Sequence, residues 1–168
     1  MLGFTAFVVS GSDRIMAANQ EALREAAALL LGARVGTLAT VQAGVPHAAL
    51  VTPALDEDAQ PLLLLSTLAV HTRQLKANPA CALLVSGPAA SENPQTAPRL
   101  CLTGEARQIP PEPVRARFLA AHPYAAQYVD FGDFGFWKIF VHDTQYIGGF
   151  GRAVHLNFAA LQHEISQH

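Results

Sequence analysis

The sequence predicts a mainly-β domain, an antiparallel barrel with helices on its outside. Three observations lead there. Six or seven short apolar runs are separated by turn-forming residues. No regular alternation of strand and helix links them, which argues against a doubly wound parallel sheet. The 168-residue chain is 51% hydrophobic and 14% charged, against about 25% charged in an ordinary soluble domain. That composition excludes intrinsic disorder. The formal charge of −2 argues against a nucleic-acid partner, which needs a basic surface. No run of ~18 apolar residues offers a membrane-spanning helix. A chain this poor in charge has apolar surface to hide, and a homo-oligomeric interface, which resembles a core cut in half, is the simplest place for it.

Residues 1–18 read as an arm before the domain. Their apolar stretch, 2–9, is short and lacks a basic start, so it does not read as a signal peptide, and the cytoplasm is the expected compartment. Asn19 is placed to cap a helix over 20–31, with Leu23, Ala26, Ala27 and Leu30 on one face and Gly32 at its end. A first strand spans 34–41, with Val35, Thr37, Ala39 and Val41 sharing one face. A turn at 42–44 returns the chain through a second strand, 45–55, where Pro53 marks an edge or bulge. The leucine-rich third strand, 61–66, is expected to be buried on both faces. A short helix over 69–77 stops at Asn78-Pro79. Strands follow at 80–86 and 100–109, around a Pro/Ser/Asn-rich loop at 87–98. Prolines 110, 111 and 113 introduce a helix to about 121, and a second short one runs to 129. Residues 136–141 and 145–150 read as a hairpin turning at Asp143-Thr144; 152–156 is extended, and Asn157 caps a last helix, 158–166. The domain proper is thus 19–157, with 158–168 as a tail.

The standard catalytic signatures GxxxxGK[ST], HExxH and GxSxG are absent. Cys81 and Cys101 have neither CxxC spacing nor a zinc partner set; both lie in apolar runs and read as free thiols, and no metal site is expected. The segment with most chemistry is Ser66-Thr67-Leu68-Ala69-Val70-His71-Thr72-Arg73. Two hydroxyls end a buried strand, and a helix start follows with His71, Thr72 and Arg73. Free N–H groups, hydroxyls and a cation make an anion site suited to phosphate; ordinary capping by Ser66 or Thr67 is the plain alternative. Arg34 and Arg99 each begin a strand and can reach the same anion, or be simple surface guanidinium groups. Trp137 and its neighbouring phenylalanines, with Phe150, read as core or interface packing.

Arg34-Val35-Gly36-Thr37-Leu38-Ala39-Thr40, Gly44-Val45-Pro46-His47 and the 66–75 segment with Asn78-Pro79 resemble the pyridoxamine 5′-phosphate oxidase-related, FMN-binding split-barrel family. Gly132-Asp133-Phe134 and Gly148-Gly149-Phe150-Gly151-Arg152 are similar to its haem-utilisation (HugZ/HutZ-type) branch. The resemblance implies a six-stranded antiparallel split β-barrel with flanking helices, a homodimer with two equivalent cofactor sites at the interface. For FMN it implies that Arg34, Val35 and Thr37 on the first strand, and Ser66, Thr67, His71 and Thr72 at the strand–helix junction, hold the phosphate. For haem it implies Arg99 as a cofactor contact, Asp133 as support for an iron-ligating histidine, and a ligand on the C-terminal extension, where His155, His163 and His168 are available. Basic residues that pyridoxamine phosphate oxidation would need at the C-terminus are absent.

Three readings follow. The first is an FMN-dependent oxidoreductase that passes hydride or electrons to a small-molecule substrate and needs no catalytic side chain of its own. The second is a haem-binding or haem-utilisation protein using the same cleft. The third is a cofactor-free dimeric module.

Overall fold

The computed structural model describes residues 11–149 and 151–168; most of the arm expected over 1–18, and Phe150, lie outside the described residues. Helix α1 runs Gly11–Gly32, so Asn19 sits inside it rather than capping it. The reason is visible in its burial: Ala22, Ala26, Ala27 and Leu30 are inside the core, while residues 16–21 are exposed. The apolar pattern marks the packed part of a longer helix.

Strands β1 (Gly36–Gln42) and β2 (Val45–Val51) form a hairpin. Ala43 and Gly44, with φ of 50° and 77°, supply the two left-handed residues that a tight turn with strand-matching twist requires. The expected single strand over 45–55 is interrupted at Thr52-Pro53; Ala54–Leu55 forms a separate β3. β4 (Pro61–Ser66) carries Leu62, Leu63 and Leu65 at 4% exposure or less. Helix α2 (Val70–Ala77) leads to β5 (Ala80–Ser86) and β6 (Arg99–Ile109). Helix α3 (Val114–Ala121) and a 3-10 turn at Pro123–Gln127 precede β7 (Phe134–Ile147). β8 (Ala153–His155) and α4 (Phe158–Ile165) close the chain, with Asn157 Oδ1 accepting the Ala160 amide at 3.1 Å.

β7 corrects the expected hairpin. Asp143 and Thr144 are turn formers by local preference, yet the strand continues through them, with Thr144 fully buried opposite Leu102. A one-residue shift in the β6–β7 register at Thr103/Gly104 absorbs the irregularity as a bulge.

The strands form one antiparallel sheet in the order β2-β1-β5-β6-β7-β4-β3, with β8 on β7. This is eight strands rather than six. The sheet is also open rather than closed: β2 and β3 are its two ends. The break at Thr52-Pro53, where Pro53 has no N–H to offer a ladder, leaves a cleft of about 230 Å³ between the end of β2 and β4.

The sheet buries its concave side around Leu38, Leu83, Leu102, Trp137 and Ile139, closed off by α1 and α4. A second cluster lies on its outside, where Leu62 and Phe136 pack under Val114 and Phe118 of α3.

Candidate functional site

Among the described residues, the rest of the sheet's outer face has no such cover. Directly opposed residues in adjacent antiparallel strands point to the same side, so the register defines this face row by row. One row runs Leu50, Thr37, Leu84, Cys101, Gln145, His155 across six strands. The next runs Ala48, Ala39, Ala82, Thr103, Asp143. Arg99 belongs to a third row with Ser86 and Ile147. Leu50 is 72% exposed and Leu84 39%. The middle of this surface is therefore largely apolar, made of alanine, threonine and leucine, and its β7–β8 border is polar. Such a patch on an isolated chain marks a binding surface.

Across the cleft from Leu50 lies the end of β4. Ser66 Oγ donates to Asp133 Oδ2 at 2.5 Å, and the Thr67 amide donates to the Asp133 carbonyl at 2.7 Å. Ser66 Oγ in turn accepts the Leu68 amide at 3.1 Å, and the Ser66 carbonyl accepts the Ala69 amide. The residue preceding α2 is Ala69, which caps with no side chain. Arg73 Nη1 donates to the Leu68 carbonyl at 2.6 Å. The junction thus holds together the residues expected there, but with most of its donors engaged by protein acceptors. Thr72 is fully buried and its hydroxyl has no hydrogen-bond partner among the described residues. His71 lines the cleft, and burial, with His47 nearby as the lesser cause, holds its imidazole below the ordinary value.

Arg34 and Val35 line a different cavity, about 800 Å³, between α1 and the loop joining β5 to β6. There the Tyr146 hydroxyl donates to Glu25 at 3.0 Å, and Arg152 Nη1 reaches the same carboxylate at 2.9 Å. Burial, then the bond to Glu25, push the Tyr146 phenol up to about 12. Arg99 Nη1 donates to the Gln95 and Ala97 carbonyls, at 3.2 and 3.1 Å, in that loop.

The predicted residues therefore do not share one pocket: several fall around one outer face, while Arg34 and Val35 line the separate cavity beside α1. Thr37 stands in its middle, Arg99 and His155 at its β6–β8 border, and Ser66, Thr67, His71 and Asp133 beyond the cleft at the other. His155 is exposed, with Nδ1 3.6 Å from Asp143 Oδ1. His163 and His168 are exposed on and after α4, outside the rows of the face. The sequence reading missed Ala39, Ala48, Ala82 and Leu50 as site residues. For Ala39 the signal was alternation along 35–41, which grouped one face without saying which side of the sheet it occupied; the other three follow only from strand register.

Comparison with known proteins places this geometry. Residues 18–161 match the family model described as CREG, beta-barrel. The chain is 37% identical over 143 residues to the chloroplastic non-canonical haem oxygenase HOZ of Arabidopsis thaliana, covering 82% of this chain and 43% of that one. It thus spans less than half the length of that curated relative. The solved structure of a haem-binding protein from Mycobacterium smegmatis superposes with a TM-score of 0.77 at 31% identity, over 84% of this chain and 60% of that one. HutZ of Vibrio cholerae, described as a haem storage protein, shares the fold alone, with a TM-score of 0.58 at 17% identity over 70% of this chain and 88% of that one.

Proposed function

This chain belongs to the CREG beta-barrel family, and on that premise we propose that it binds haem on the outer face of β1, β2 and β5, where two copies of the chain meet. The observation that carries the reading is the row from Leu50 through Thr37 and Leu84 to His155. A porphyrin is a flat apolar plate with carboxylates on one edge. It suits a surface whose centre is alanine, threonine and leucine and whose border carries Arg99 for a propionate. Of the three C-terminal histidines, His155 is the one whose strand register puts it on this face, and neutral imidazole is an ordinary iron ligand. Bound haem supplies the iron chemistry, including reaction with oxygen; the protein orients the ring and excludes water from it. The similarity to a haem oxygenase and to a haem-binding protein supports the same reading, with haem itself as the small-molecule substrate if the ring is opened.

FMN is the second reading, because an isoalloxazine ring is also flat and would lie on the same face. The phosphate end weakens it. A phosphate at residues 66–72 would meet the Asp133 carboxylate, which already holds the Ser66 hydroxyl, and the buried Thr72 hydroxyl is out of its reach.

Hemin titration of the full chain tests the proposal. The expected result is a saturable Soret shift, lost or weakened at least about tenfold in Ala39→Glu and altered in His155→Ala. No Soret shift, with FMN fluorescence quenched instead, overturns it in favour of FMN; neither response leaves the cofactor-free module. A Soret shift indifferent to His155→Ala removes the ligand assignment alone. Asp133→Asn separates the cofactors further, since removing that charge is expected to strengthen FMN binding if the phosphate seeks this junction.

A further inference from the structure

On the covered half of the outer face, between α3 and the turn joining β3 to β4, lies a cavity of about 300 Å³, at the lower end of small-molecule sites. Its apolar wall is Ile109, Val114 and Phe140. Its floor is an ion pair between Asp56 and Lys138, whose side chains are 5% and 20% exposed. Asp56 is fully used: Oδ1 accepts the amides of Asp58 and Gln60 at 2.9 and 2.8 Å, and Oδ2 takes Lys138. Lys138 is not, for an ammonium has three donors. One serves Asp56, and the group stands 5.4 Å from the centre of the Phe140 ring, leaving donor capacity toward the cavity.

Three more charges line the same space: Arg117, Glu57 and Glu112. Among the described residues none of them has an oppositely charged group within 4.0 Å, although all three are long, exposed side chains around one hollow. Unlike charges that share a cavity and do not close on one another leave room for a ligand carrying both signs.

We infer that this cavity is a binding site for a small zwitterion, a free α-amino acid with an apolar side chain. Its carboxylate meets Lys138 and Arg117, its ammonium meets Glu112, and its side chain lies against Ile109, Val114 and Phe140. The site is separate from the haem face, and the inference does not depend on what that face binds.

Calorimetric titration of the full chain with L-leucine and L-phenylalanine tests it, beside 4-methylpentanoate, which lacks the ammonium, and L-leucinamide, which lacks the carboxylate. Expected are saturable binding of at least one amino acid, and binding weaker by about tenfold or more for both analogues and in both Arg117→Gln and Glu112→Gln. These two residues are exposed, and an unchanged melting temperature checks that the variants fold. Absence of saturable amino-acid binding overturns the inference, as does binding indifferent to either variant. Equal binding of 4-methylpentanoate also overturns it, making the site one for simple acids.

Discussion

On one half of the sheet's outer face, Leu62, Leu64 and Phe136 lie under α3 and the turn at Pro123–Gln127. On the other half, Leu50, Leu84, Ala39 and Ala48 are exposed, with nothing among the described residues over them. The residue types are alike; the covering segment differs. Over the first half, Phe118 meets Phe136 edge to face at 5.7 Å, and buried His122 holds the Pro53 carbonyl at 2.8 Å. Burying a Leu or Phe side chain contributes about 1.5–3 kcal/mol, so that half is part of the fold's own stability. The second half contributes little to a lone chain, and its apolar surface is available to a ligand or another copy. The difference teaches that the described residues complete a core on one side of the sheet's outer face only.

The largest expected effect breaks or supports that contrast directly. Phe118→Ala, in the covered half, is expected to cost about 3–5 kcal/mol in urea unfolding. Leu50→Ala, in the open half, is expected to stay within about 0.5 kcal/mol in dilute protein. If Leu50→Ala costs as much as Phe118→Ala, the open half is covered in solution even without a cofactor, and a permanent dimer is the explanation. Concentration dependence of the Leu50→Ala effect would show the same.

An effect of intermediate size uses the two thiols. Cys101 is half-buried in the row between Leu84 and Gln145, whereas Cys81 is buried in the core. Burial, opposed only in part by a backbone hydrogen bond involving Ala106, pushes the Cys81 thiol up to about 11. Since the thiolate is the reactive form, a disulfide-exchange reagent at neutral pH is expected to label Cys101 in the native chain and spare Cys81. Hemin should slow the labelling of Cys101 severalfold. Unchanged labelling in saturating hemin would move the haem off this face.

The same contrast explains what the sequence disclosed. Elements buried on their own terms were legible: the all-leucine strand Pro61–Ser66, the strand Ala80–Ser86, and the helix behind Asn157 follow from composition and caps. Elements decided by their neighbours were not. Asp143-Thr144 reads as a turn locally, but burial of Thr144 against Leu102 carries the strand through it. Residues 16–21 of α1 are exposed, so no apolar periodicity announces that part of the helix. The candidate site was half legible. The 66–73 segment stands out by residue type, whereas the alanines of the open face are bland in sequence and gain meaning only when five strands bring them into register.

The smallest expected effect is at the border of the open half. His71 lines the cleft, and burial first, then His47, lowers its affinity for a proton below the ordinary 6.5. A histidine held low in the folded state leaves the unfolded chain binding more protons there. Its contribution to stability is therefore complete above about pH 6.5 and is lost as pH falls through the folded value. His71→Asn is expected to flatten that part of the acid limb, measured as unfolding free energy against pH. The comparison of halves adds a direction. Anything that covers the open face deepens the burial of His71, so with hemin bound the loss should still begin near pH 6.5 but continue to lower pH. If the limb does not move with hemin, the cover does not extend across the cleft, and the site ends at Leu50.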